Sequence, residues 1–258
     1  GTGLFKLAKS KENFKKSSLK TFICGRNRLE NGSIDRLAIG LRNHKDLEEV
    51  RLYQNGIRPA GISKLISQGL SRNVHLRVLD LQDNTLTAKA SEVLAQALGQ
   101  WPKLQELNLN DCLLKAAGSF SVVSAFLTGP EKLEMTKLKL QYNELDSKSL
   151  EKLVTVVEEK LPNLQHLELN GNIFEEDSEF VDQINEIFEE RGFGEIDDLD
   201  ELEEYDSDEE DSEGESEDKL PEDAGVDAVG KELVALPLQG KDASVDDLAG
   251  ELAGTRKN

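Results

Sequence analysis

Residues 76–86 read LRVLDLQDNTL, and the same pattern returns along the chain. It stands in LKTFICGRNRL from Leu19, LEEVRLYQNGI from Leu47, LQELNLNDCLL from Leu104, MTKLKLQYNEL from Met135 and LQHLELNGNIF from Leu164. The template is L-x-x-L-x-L-x-x-N/C-x-L. Its asparagine or cysteine falls at Asn27, Asn55, Asn84, Cys112, Asn143 and Asn172, at steps of 28, 29, 28, 31 and 29 residues. A fixed period of this size marks a chain of stacked units, each too small to bury its apolar face alone.

The chemistry of the template predicts the unit. Alternating apolar residues such as Val50 and Leu52 turn every second side chain of a short strand inward. Successive strands then stack in parallel. The asparagine sits where the chain leaves the strand, and its amide can satisfy backbone groups of the neighbouring turn that would otherwise be buried unpaired. Cys112 fits the same niche as a small buried residue with a weak donor. The six positions therefore read as a structural ladder. Between strands, GISKLISQGL (61–70) puts Ile62, Leu65, Ile66 and Leu70 on one helical face, and KASEVLAQALGQ (89–100) does so with Val93, Leu94, Ala97 and Leu98. The 31-residue step follows from a longer connection around LTGPEKLEMT, after a helix near 118–127. The predicted fold class is α/β: a leucine-rich-repeat solenoid of the ribonuclease-inhibitor type, with strands concave and helices convex.

Charge divides the chain. Residues 1–194 hold 27 acids and 26 bases, whereas Glu195 to Asp218 hold 16 acids and no Lys or Arg. The expected domains are a repeat domain over 1–194 and an acidic, disordered tail over 195–258, because the acidic run repels itself and has little to bury. Ser207, Ser212 and Ser216 are candidate phosphate acceptors within it. A cap helix is expected at about 175–192, with Phe180, Ile184, Ile187 and Phe188 on one face. The opening GTGLFKLAKSK reads as the helix of a preceding repeat, so further repeats are expected upstream.

Other classes find little support. No apolar run is long enough to suggest a membrane span. Two cysteines, Cys24 and Cys112, sit among apolar residues and are expected to be reduced. The three histidines, His44, His75 and His166, fall in separate repeats. No phosphate-binding glycine loop, nucleophile elbow or metal cluster is visible, so no cofactor, no metal and no active site of the chain's own are expected. Binding is expected on the rim just beyond the strands, at Arg26, Arg28, Tyr53, Gln54, Gln82, Asp83, Asn110 and Asp111, where polar groups stand on a rigid scaffold.

The runs FICGRNRLENGS, QNGIRPAGI, VLDLQDNT, LNLNDCLL and LQYNEL, followed by acids, resemble the fungal RanGAP proteins, which activate GTP hydrolysis by the small GTPase Ran. The likeness spans residues 19 to 218 and covers the C-terminal half of that family's repeats plus its tail. It implies GTP-bound Ran as partner, with a Ran-binding protein as a further one, and a monomer acting in the cytoplasm, with a perinuclear or nuclear-envelope position as the narrower expectation, without touching nucleic acid. Many activators of related GTPases insert an arginine finger. This family is instead held to use an asparagine that positions Ran's own glutamine. That asparagine lies one repeat before ICGRNRL, so no residue here matches it, and Asn27 is not its substitute. Arg26 is then expected to face Ran and Arg28 to brace the adjacent loop, with no catalytic residue in the chain, which should therefore accelerate hydrolysis poorly. An alternative is an acidic leucine-rich nuclear protein that binds histones, although those have shorter repeats and lack ICGRNRLENG. A third class, the ribonuclease inhibitors, shares the period but is rich in cysteine.

Overall fold

A computed structural model describes residues 19–129 and 133–202, all within the first of two units, residues 1–218. The N-terminal GTGLFKLAKSK, the three tail serines and everything beyond Leu202 lie outside the described residues. The described strands form one seven-stranded sheet in chain order, every pair parallel. They are β1 (Thr21–Ile23), β2 (Glu49–Arg51), β3 (Val78–Asp80), β4 (Glu106–Asn108), β5 (Lys137–Lys139), β6 (His166–Glu168) and β7 (Glu195–Ile196). The central residue of each strand is in register with the next, so that Val50, Leu79, Leu107, Leu138 and Leu167 make one buried row. Leu52, Leu81, Leu109, Leu140 and Leu169 make a second.

Each of β1 to β6 is followed by a helix that closes the other side of the core. These are α1 (Ile34–Arg42), α2 (Pro59–Lys64), α3 (Thr87–Leu98), α4 (Lys115–Thr128), α5 (Ser147–Lys160) and α6 (Glu179–Arg191). The helix predicted at 61–70 starts at Pro59, whose missing N–H costs nothing in a first turn. It then widens into a π turn at Leu65–Gly69 and tightens into a 3-10 turn at Leu70–Arg72. All four apolar residues named for it are buried. The cap helix begins at Glu179, where the Ser178 hydroxyl accepts the Phe180 N–H, and ends at a left-handed Gly192. Ile184 and Phe188 are buried, while Phe180 and Ile187 pack against the core only partly covered.

Helix ends need partners for their last carbonyls, and several partners come from one repeat onward. Asn73 Nδ2 donates to His44 O at 2.9 Å, Trp101 Nε1 to Leu70 O at 2.9 Å, and the Arg191 guanidinium to Val157 O at 2.7 Å and Leu161 O at 3.0 Å. The repeats are thus joined along the helix row as well as along the sheet.

The asparagine ladder stitches the opposite side. Asn84 Nδ2 donates to Leu52 O at 3.0 Å and Leu81 O at 2.8 Å, and its Oδ1 accepts Asn55 N–H at 3.3 Å and Ile57 N–H at 3.0 Å. Asn143 and Asn172 repeat this, each amide linking its own strand end to the preceding repeat. Each amide thus meets about four backbone groups, and a buried group left unmet costs about 1–3 kcal/mol. Cys112 fills the niche with less: its Sγ donates to Leu81 O at 3.3 Å, and burial pushes its thiol pKa well up. Asn27 is in ladder register, its N–H bonded to Asn55 Oδ1 at 3.0 Å, but its own side chain is exposed.

The repeat array does not stop at residue 194. Glu195–Ile196 adds the seventh strand, with Glu195 N–H donating to Gln165 O and Asp197 N–H to Leu167 O. The first acids then dock. Asp197 Oδ1 accepts Leu169 N–H at 2.5 Å; its Oδ2 accepts Asn170 N–H at 3.2 Å and Gln141 Nε2 at 2.6 Å. Asn170 Nδ2 donates to Asp200 Oδ1 at 2.8 Å, and the Tyr142 hydroxyl donates to Glu201. An anionic run repels itself only in isolation. Here each docked carboxylate meets a fixed N–H or O–H donor, and bonds to an ionised acceptor are the stronger kind.

Candidate functional site

The rim is set by one backbone feature. Arg26, Gln54, Asp83, Asp111, Tyr142 and Gly171 each precede the ladder residue, and each has φ between +53° and +68°. Strand alternation alone would send these side chains inward and the ladder side chains outward. The left-handed turn inverts that order: Leu52 is buried, Tyr53 half-buried, Gln54 exposed and Asn55 buried again. A left-handed residue with a Cβ costs about 1–2 kcal/mol, so the ladder bonds that follow it hold the strain in place. The result is a row of outward side chains, one per repeat from Arg26 to Tyr142, which ends at the buried Gly171.

Two neighbouring cavities lie along this row. One, of about 380 Å³, is lined by Arg28, Glu30, Gln54, Asp83, Asp111 and Leu113 over a floor that includes Asn55 and Asn84. The other, of about 240 Å³, is lined by Arg26, Tyr53, Gln54, Asp80, Gln82 and Asp83. Seven of the eight predicted rim residues are therefore brought together. The eighth, Asn110, is only 6% exposed. Its amide donates to Gln141 and to Glu168, and its Oδ1 accepts Gln141 N–H at 2.9 Å, so it braces the sheet and offers a partner little. Two residues before its ladder cysteine, it is where a neighbouring side chain reaches across. Arg26 and Arg28 are both exposed with positive φ, at +58° and +47°, and neither makes an ion pair among the described residues.

Beside the second cavity the outward face of the strands holds a charge cluster not singled out from sequence. The Arg51 guanidinium lies 2.6 Å from Glu49, 2.8 Å from Glu106 and 3.5 Å from Asp80. Glu106 above all, helped by Glu49, holds Arg51 protonated against the cost of burial. Asp80 is 5% exposed; desolvation raises its pKa, opposed by the Gln82 N–H and by Arg51. The signal was present: each of these residues stands one position either side of a buried strand residue, so the template places them on one face. The histidines do not gather. His44 is buried at the end of α1, His75 is exposed, and His166 in β6 meets Glu195 at 2.8 Å.

Comparison with known proteins agrees with this architecture. Residues 72–95 match the Leucine Rich repeat family. The chain is 49% identical over 193 residues to Ran GTPase-activating protein 1 of Saccharomyces cerevisiae, an alignment covering 73% of this chain and 47% of that protein. It is 36% identical over 118 residues to a ribonuclease inhibitor of Sus scrofa, covering 45% of this chain and 25% of that one. The chain thus spans about half the length, or less, of these relatives. Over the residues it shares with the yeast protein, the chain is a leucine-rich-repeat protein that resembles that Ran GTPase-activating protein.

Proposed function

We propose that this chain recognises GTP-bound Ran through its rim and belongs to the machinery that promotes GTP hydrolysis on Ran during nucleocytoplasmic transport. The observation that carries the reading is the 49% identity to a Ran GTPase-activating protein, joined to a rim on which Arg26, Arg28, Asp83 and Asp111 stand on rigid turns around two open cavities. Such a surface suits a wide protein face better than a small molecule, because its polar groups are spread over four repeats and its cavities are shallow and open.

Within this reading Arg26 and Arg28 are contacts that orient Ran, and hydrolysis is left to groups other than those of the rim. Arg26 lines one cavity with Tyr53 and Asp83, and Arg28 lines the other with Glu30 and Asp111, so charges of both signs line the surface. That pattern fixes register and accelerates encounter more than it adds affinity. The protein acts as a monomer in the cytoplasm, with Ran as its partner and no cofactor. The experiment is a titration of the full chain against Ran loaded with GTP and, separately, with GDP. Measurable binding with preference for the GTP form is expected; equal affinity for the two forms, or none, contradicts the proposal.

A further inference from the structure

Tyr53 is among the predicted rim contacts, but its geometry gives it a second task. A Cβ added at Gly25 would lie 2.2 Å from Tyr53 Cζ and 2.3 Å from its Cε2. The hydroxyl end of the ring thus fills the space that any side chain at residue 25 would need. Gly25 is not itself left-handed, so the requirement for glycine here is one of space. The next residue is Arg26, at φ +58°, and its N–H donates to Tyr53 O at 3.0 Å. Residue 53 therefore holds the turn twice, by its carbonyl and by its ring. The Tyr53 hydroxyl makes no hydrogen bond among the described residues, so ring bulk does the holding.

The device recurs at the far end of the array. A Cβ on Gly171, at φ +68°, would lie 2.2 Å from Tyr142 Cδ1, and the Tyr142 hydroxyl is held by Glu201. There the tyrosine leans onto the following repeat; Tyr53 leans onto the preceding one. Both place a ring over a glycine in the turn ahead of a ladder asparagine.

We infer that Gly25 and Tyr53 form a positioning pair that locks Arg26 in its left-handed turn and aims the guanidinium across the cavity it shares with Asp83. The pair acts through Arg26. The identity of the partner rests on the Ran reading above, whereas the locking of the turn does not.

The test uses the full chain with Gly25→Ala, Tyr53→Ala, Tyr53→Phe, Arg26→Ala and the Gly25→Ala/Arg26→Ala double variant. Amide exchange at Arg26 reads the lock directly. Gly25→Ala and Tyr53→Ala are expected to speed it about tenfold, with Tyr53→Phe unchanged and the buried Leu109 amide unchanged in all. Against Ran·GTP, Gly25→Ala is expected to weaken binding by a factor close to that of Arg26→Ala, and the double variant no further than Arg26→Ala alone. Unchanged Arg26 exchange in Gly25→Ala overturns the inference. So does faster exchange at Leu109 in step with it, which marks general loosening, or a double variant whose losses simply multiply. Should the wild-type chain fail to bind Ran·GTP, the Ran reading falls, and the exchange arm alone decides for or against the lock.

Discussion

The Asp197 carboxylate accepts the Leu169 amide at 2.5 Å, and through its other oxygen it meets Asn170 N–H and Gln141 Nε2. An acid thus does for the last strand end what asparagines do between repeats. Residues up to Glu201 belong to the fold by this criterion, whatever their charge.

It follows that two shortened chains should behave differently. A chain ending at residue 202 should unfold in urea at nearly the denaturant concentration of the full chain. One ending at 194 removes β7 and the docked carboxylates and should lose several kcal/mol. Asp197→Ala alone should cost about 2 kcal/mol, since two backbone N–H groups lose their acceptor. Equal midpoints for the two truncations would show that the acidic strap contributes nothing.

The ladder predicts a graded asparagine scan. Asn84 is 4% exposed and meets buried backbone groups on both sides, so Asn84→Ala should lower stability by about 3 kcal/mol. Asn27 has an exposed side chain, and Asn27→Ala should cost under about 0.5 kcal/mol. Urea denaturation of both variants checks the ratio. Similar losses at the two sites would mean that ladder register, and not burial, sets the cost.

Acid should act through His44. Burial lowers its imidazole pKa below the ordinary 6.5. The unfolded chain then takes up the proton first, so this contribution to stability is complete above pH 6.5 and is lost as pH falls toward the folded-state value. Between about pH 7 and pH 5.5 the wild-type chain should lose more stability than His44→Gln. Parallel pH profiles would assign the acid sensitivity elsewhere.

The fold was legible because its signal is periodic. Six template matches specify strands, helices and ladder together, since the asparagine is needed only where a strand end meets a turn of the neighbouring repeat. The left-handed residue before each ladder position was not legible, because Arg, Gln, Asp and Tyr have no shared preference for positive φ; the conformation comes from the ladder bonds around them. That is also why Asn110 was misjudged as a contact. Its place in the template matches Tyr53 and Gln82, but Glu168 and Gln141 reach across to it from later repeats. The tail boundary failed for a related reason: composition measures what acids do alone, and Asp197 meets donors supplied by residues 141, 169 and 170. Arg51 and its three carboxylates were readable as outward strand positions, though their grouping depends on a register that only the stacked sheet supplies.

The most direct test compares rim and helix-side variants of the full chain for binding to Ran·GTP. Reversing charge at Arg26 together with Asp83, which share one cavity, should weaken binding by at least about tenfold, while reversing Glu151 and Glu92 on the exposed helix faces should change it less than about twofold. Equal effects from the two pairs, or loss only from the helix side, would contradict recognition by the rim.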